Sequence, residues 1–175
     1  VLAVGIGNEA LTADSLGAAA IAAMCAGSFL GRRLCCLSTG VCGKTGFSPL
    51  EMIKSVIELT SPAVVVLVDA LAAEHISHIG RTVQLTDAGI CPGSGVGREQ
   101  FELSAAVLGV PTVAVGMPTV IGYTANGGAA DGKTVFVTPC DIDVTVKRAA
   151  RLIALAVELA VFPELGLDTL KEMSY

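Results

Sequence analysis

Short apolar runs rich in β-branched residues alternate along this chain with longer stretches whose apolar positions recur every three or four residues. That alternation marks β-α units wound around a mainly parallel sheet with helices on both faces. Val1 to Ile6 reads as a first strand ending in Gly5 and Gly7, and Asp14 to Ala26 as the helix that follows. Leu34 to Leu37 reads as a second strand. Ser48 to Leu59 reads as a second helix, with Ser48 as N-cap and Pro49 at the first position, where a missing N–H is harmless. Ala63 to Val68 is an unbroken apolar run, as a strand covered on both faces requires, and it terminates at Asp69. A short strand over Arg81 to Leu85, a helix over Gln100 to Leu108, a buried strand over Thr112 to Val115 and a last strand over Val135 to Val137 follow. From Asp141, the positions Val146, Ala149, Leu152, Ile153 and Ala156 keep helical spacing to about Phe162. The expected fold class is α/β, a three-layer α/β/α sandwich with a mainly parallel sheet.

At 175 residues the chain is expected to form one domain over residues 1–175, since domains run to roughly 100 to 200 residues. Apolar residues make up 53%, which excludes a disordered chain. Charged residues make up 15%, against roughly 25% in an average globular protein, too few to cover a small isolated domain. A homo-oligomer is therefore expected. The net charge is −5, the isoelectric point is near 4.9 and no basic run exceeds Arg32-Arg33, so a phosphate backbone would be repelled and no nucleic-acid partner is expected. A mean hydropathy of +0.72 raises the question of a membrane. The uncharged stretch Ser15 to Gly31 is mostly Ala and Gly and falls short of the ~20 greasy residues a spanning helix needs, and other apolar runs are cut by Pro111, Pro118, Asp69 or Glu158, so no membrane association is expected.

Val1 opens the chain inside an apolar run, with no initiator Met and no basic stretch before a hydrophobic segment. No signal peptide is expected, and an upstream segment is expected to be absent from this chain. Six cysteines without a C-x-x-C pair, in a chain far larger than a disulfide-stapled module, are read as reduced, mostly buried thiols of a cytoplasmic protein.

In open α/β sheets chemistry collects beyond the carboxyl ends of the strands. That rule selects Asp14, after the loop Gly5-Ile6-Gly7-Asn8; Asp69, at the end of its strand; and Asp87, in Thr86-Asp87-Ala88-Gly89. Paired carboxylates can hydrolyse an amide by holding a water between them, one ionised to take its proton and the other protonated to donate toward the carbonyl or leaving nitrogen. The same pattern equally allows Asp14 to cap the helix it begins and Asp69 to cap a loop.

Other constellations compete. Gly40-Val41-Cys42-Gly43-Lys44-Thr45 nearly spells the phosphate loop G-x-x-x-x-G-K-T, with Ser38 at the first glycine position, which makes a nucleotide hydrolase a runner-up. Pro92-Gly93-Ser94-Gly95-Val96-Gly97 can aim backbone N–H groups at an anion or stand as an ordinary loop. His75 and His78, three apart, would share a helix face and could ligate a metal, although exposed unliganded histidines are the simpler reading.

Several blocks together resemble the germination protease family of spore-forming bacteria. They are Gly5-Ile6-Gly7-Asn8 with Thr12-Ala13-Asp14-Ser15-Leu16-Gly17, Gly40 to Gly46, and Val68-Asp69-Ala70-Leu71-Ala72-Ala73. Thr82 to Ile90, Pro92 to Gly97, Leu108 to Pro111, Val115 to Val120, Val137-Thr138-Pro139 and Ile142-Asp143 continue the resemblance in order, from about Val4 to Ala160. It implies a cytoplasmic endopeptidase, in the spore core where the organism sporulates, made as a zymogen. That enzyme degrades small acid-soluble, DNA-protecting spore proteins during germination, without a metal or other cofactor, on a fold similar to hydrogenase-maturation peptidases. The family's two essential aspartates fall at Asp14 and Asp69. Asp87 is added as a supporting residue from its position on the rim, and Gly93, Ser94, Gly95 and Gly97 as a wall for the substrate backbone. The chain departs from the family at Ala13, where Pro is usual, in a short stretch between Asp14 and Gly43, and at Arg98-Glu99, where Asn is common. A hydrogenase-maturation-type peptidase and an inactive relative acting as a binding module stand as alternatives.

Overall fold

The computed structural model describes residues 1–96, 101–124 and 134–173. Strand β1 (Leu2–Ile6) leads through a 3-10 turn at Thr12–Asp14 into helix α1 (Leu16–Ala23). A hairpin of β2 (Gly27–Phe29) and β3 (Arg32–Gly40) follows, then α2 (Cys42–Thr45), α3 (Pro49–Thr60) and β4 (Val65–Ala73). The second half contains β5 (Gln84–Thr86), α4 (Ala105–Leu108), β6 (Thr112–Thr124), β7 (Thr134–Val137), the long α5 (Ile142–Val161) and α6 (Gly166–Met173). The sheet order is β2-β3-β1-β4-β6-β5, with β7 also on β6. Strands β3, β1, β4 and β6 run parallel, and β2, β5 and β7 are antiparallel additions.

Two cores cover the two faces, giving the expected three-layer α/β/α sandwich. On one face α1 and α5 bury Leu16, Ala20, Val146, Ala149, Ile153 and Val157 against Ala3, Val68, Val115 and Met117. On the other, Ile53 of α3 and Leu108 of α4 pack on Leu2, Val4, Val65, Leu67 and Ala114. Alternate residues of β1 and β4 thus feed opposite cores, which is why both strands read as continuous apolar runs. Helix α3 begins as the sequence predicts: Ser48 and Glu51 form a reciprocal capping box, and Pro49 opens the helix. No helix among the described residues is long and apolar enough to cross a membrane.

Several boundaries differ from the sequence reading. Asp14 lies on the 3-10 turn before α1 instead of in its first turn, and the helix stops at Ala23, short of Ala26. Strand β4 does not terminate at Asp69 but continues to Ala73, because β6 supplies a parallel partner throughout, from Val65 opposite Thr112 to Ala73 opposite Ile121. The helix expected over Gln100 to Leu108 shrinks to Ala105–Leu108, since Leu103 pairs with Ile90 as an isolated bridge; Gln100 lies outside the described residues. The cysteines are less buried than expected: Cys42 and Cys140 are exposed and the other four are half-buried. Burial pushes the Cys36 thiol up to about 11, with smaller contributions from Cys35, Glu158 and Cys25, which leaves it a poor nucleophile.

Helix α1 seats its first turn directly on the sheet. A Cβ at Gly17 would stand 2.3 to 2.4 Å from the backbone of Ile6 and Val68, and one at Gly5 would stand 2.2 Å from the Gly17 carbonyl oxygen. Gly17→Ala must therefore lift α1 off β1 and β4. The about 1 kcal/mol gained by placing Ala for Gly in a helix is outweighed by overpacking against rigid backbone, and a net loss of about 2 kcal/mol or more is expected in urea unfolding. Gly43→Ala, in α2 with nothing within 4 Å of the new methyl, is the matched control and should leave stability level or slightly raised.

Candidate active site

The close seating of α1 brings the Asp14 turn to the carboxyl edge of β1 and β4. Gly7, at φ +107, turns the chain away from β1, and a Cβ there would meet the Asp14 carbonyl oxygen at 2.2 Å and its Oδ1 at 3.1 Å. The turn is knitted by its own backbone: Leu11 N–H donates to Asn8 O at 3.0 Å and Asp14 N–H to Leu11 O at 2.8 Å. Asn8 N–H then donates to Asp14 Oδ2 at 2.7 Å, fixing the carboxylate above the end of β1. The other end of the α1 segment is held by Glu158 of α5, whose Oε1 accepts the Cys25 N–H at 2.5 Å.

Asp69 sits in β4 opposite Gly116 of β6 and is 6% exposed. An ionisable group so buried inside a strand requires a reason, because an acid taken from water resists losing its proton. Burial, reinforced by the negative charge of Asp14, pushes its carboxyl up to about 7, against a weaker opposing pull from the Ala70 N–H, which donates to Asp69 Oδ1 at 2.9 Å. Two acids in one electrostatic environment, one of them holding its proton near neutral pH, are a means of separating acid and base roles.

Both strands flanking this pair are irregular at the same edge. Between β1 and β3 the register slips so that Thr39 is an extra residue, and between β4 and β6 it slips so that Thr119 is one. Both threonines are 1% exposed. Bulges of this kind bend a strand and re-aim its side chains beside sites. Neither was readable from the sequence, because an extra residue in a parallel ladder leaves no period of its own.

The other candidates are placed less centrally. Gly93, Ser94 and Gly95 lie against the far end of β4: Ser94 opens a 3-10 turn, and a Cβ at Gly95 would stand 2.7 Å from that of Ala72. They share the carboxyl edge with Asp69, three residues further along the strand. Gly97 lies outside the described residues. Asp87 does not occupy the rim expected of it. Strand β5 is antiparallel to β6, with Gln84 opposite Gly116 and Thr86 opposite Ala114, so the chain leaving β5 heads for the amino edge of the parallel strands. Asp87 is exposed there, two strands over and about 10 Å down the sheet from the level of Asp69.

The phosphate-loop reading also loses its geometry. The Lys44 ammonium pairs with the Glu9 carboxylate, and α2 is a single turn closed by Gly46 at φ +76, whereas a phosphate loop opens onto a long helix. His75 and His78 are exposed and meet edge to face with ring centroids 5.8 Å apart. Among the described residues, no group of three or more His, Cys, Asp or Glu side chains is placed to hold a metal ion.

Known proteins share this fold and much of this sequence. Solved structures with the same fold include a [NiFe] hydrogenase maturation protease, HycI, from Thermococcus kodakarensis, at a TM-score of 0.53 and 20% identity over 87% of this chain and 88% of that one. The hydrogenase maturating endopeptidase HybD from Escherichia coli superposes at a TM-score of 0.52 and 17% identity, over 94% of this chain and 93% of that one. By sequence the chain is 39% identical to the germination protease of Clostridium acetobutylicum over 132 residues and 39% identical to that of Bacillus subtilis over 131, in each case 69% of this chain. It spans 40% and 36% of those two relatives' lengths. The family model described as germination protease matches residues 1–131, a shorter reach than the blocks out to Ala160 suggested. With the matched stretch containing the Asp14 turn, β4 and the glycine-rich loop, the chain belongs to the germination protease family.

Proposed function

We propose that the chain carries the catalytic centre of an aspartate-dependent endopeptidase acting on small acid-soluble spore proteins. The observation that carries this reading is Asp69, buried, facing the charge of Asp14 and holding its proton to about pH 7. Membership of a peptidase family supports the hydrolytic chemistry, and the spore-forming sources of its relatives support the substrate class and a cytoplasmic setting. In the proposed reaction, ionised Asp14 takes a proton from a water whose oxygen attacks the scissile carbonyl carbon. Asp69 gives its proton to the leaving nitrogen as the C–N bond breaks, producing a carboxylic acid and an amine, and a proton then returns to Asp69 from Asp14. Gly93 and Gly95, which lack side chains, form with Ser94 one wall for an extended substrate backbone on the same edge. A homo-oligomer is part of the proposal, supported by exposed Tyr123, Val135, Phe136 and Val137 on the β6–β7 ribbon.

The test is incubation with a purified small acid-soluble spore protein, read by mass spectrometry with and without a chelator. Discrete fragments, unchanged by the chelator, are expected; intact substrate with measurable binding identifies a binding module instead. A second expectation concerns pH. An acid that must be protonated to act loses its population above its midpoint, so kcat/KM should fall about tenfold per pH unit above about 7. A rate still rising between pH 7 and 9 contradicts the role given to Asp69.

A further inference from the structure

The Asp14 turn is tied to the sheet by a hydrogen bond from outside its own loop. Thr119 Oγ1 donates to the carbonyl oxygen of Ala13 at 2.6 Å, bridging residues 106 apart in the chain. Thr119 is the bulged residue of β6: Leu71 of β4 faces Pro118 and Ala72 faces Val120, so no residue of β4 stands opposite Thr119. The bulge releases Thr119 from the alternation of the ladder, and its side chain is almost wholly buried. Its backbone is held from the other side, where Thr138 Oγ1 donates to Thr119 O at 2.7 Å. A short chain of hydroxyl–carbonyl bonds thus runs from the segment after β7, through the bulge, to the peptide immediately before Asp14. We propose that Thr119 is a positioning residue for the aspartate pair, its hydroxyl fixing the height of the Asp14 turn above β4 so that the two carboxyls face one another. The inference rests on the Asp14–Asp69 reading given above.

A valine at this position keeps the shape and removes only the donor, whereas a serine keeps the donor. Misplacing a reacting group by about 1 Å costs about 100-fold in rate. With the spore protein as substrate, Thr119→Val should therefore lower kcat about 100-fold with KM little changed, and Thr119→Ser should restore most of it. The same three proteins are titrated by carbon-13 NMR of the Asp69 carboxyl, which needs no turnover. The midpoint should fall in Thr119→Val, as the Asp14 charge moves away, and return in Thr119→Ser. Turnover and midpoint both unchanged in Thr119→Val, or serine failing as badly as valine, overturns the proposal. If the wild-type chain leaves the spore protein intact, the titration alone decides it. A wild-type Asp69 midpoint in the ordinary carboxylate range rejects the pair itself, a result distinct from a raised midpoint that Thr119→Val fails to move.

Discussion

Asp14→Asn and Asp69→Asn should each lower peptide-bond cleavage by about three orders of magnitude, the middle of the range for losing a positioned proton donor or acceptor. The two losses differ in origin. An amide at position 14 still accepts the Asn8 N–H through its oxygen, so the turn keeps its shape, but it cannot take a proton from water. An amide at position 69 keeps the acceptor for the Ala70 N–H and has no acid proton to give. Because the proposed reaction needs both groups in succession, the double variant should be little worse than either single one, as for residues that work as a unit. Steady-state turnover with circular dichroism at matched temperature checks this. Full activity in either single variant removes the mechanism.

The second large effect is on stability, and it runs opposite to the first. Asp69 ionises at about 7 in the folded chain and at an ordinary 3.8 when unfolded. Below about pH 3.8 both states hold the proton and Asp69 costs nothing electrostatically. Between 3.8 and 7 the unfolded chain releases the proton while the folded chain retains it, so stability falls as pH rises and the loss is complete above 7. At roughly 1.4 kcal/mol per decade of proton affinity, the full penalty is about 4 kcal/mol. Asn does not titrate. The stability of Asp69→Asn relative to wild type should accordingly be about 4 kcal/mol more favourable at pH 8 than at pH 4, whatever constant difference the amide brings to packing. Urea unfolding at the two pH values measures it, and a relative stability independent of pH contradicts the raised midpoint. A site that destabilises its own fold where it functions fits the stability–activity trade-off.

How much of this was legible depended on whether the cause was local. Helix α3 was readable to within a residue, because Ser48, Pro49 and Glu51 write its start into four consecutive positions. Helix α5 was readable because Val146, Ala149, Ile153 and Val157 keep one buried stripe over most of its length. Asp69 was found by its place after an apolar run, but the run does not end the strand. Ala70 to Ala73 stay extended because β6 offers them a ladder, a tertiary cause that no window of β4 contains. Asp87 was misplaced for a related reason: a short strand carries no mark of its direction, and an antiparallel β5 reverses which edge its end reaches. The β2 hairpin strand, Gly27–Phe29, was missed because all three of its residues are exposed and lack the apolar signal of the central strands. Thr119 was invisible as a functional residue, since its hydrogen bond to Ala13 joins distant segments through a bulge. The available hint was Pro118 inside a β-rich run, where a missing N–H favours an irregularity.

The carbon-13 titration of the Asp69 carboxyl, in wild type and in Asp14→Asn, tests the pairing of these acids most directly. A wild-type midpoint near 7 that falls in Asp14→Asn, while staying above 3.8 because burial is the larger cause, is the predicted result. An Asp69 that titrates near 3.8 in the wild type, or one whose midpoint does not respond when Asp14 loses its charge, would show that the two carboxyls do not share a site.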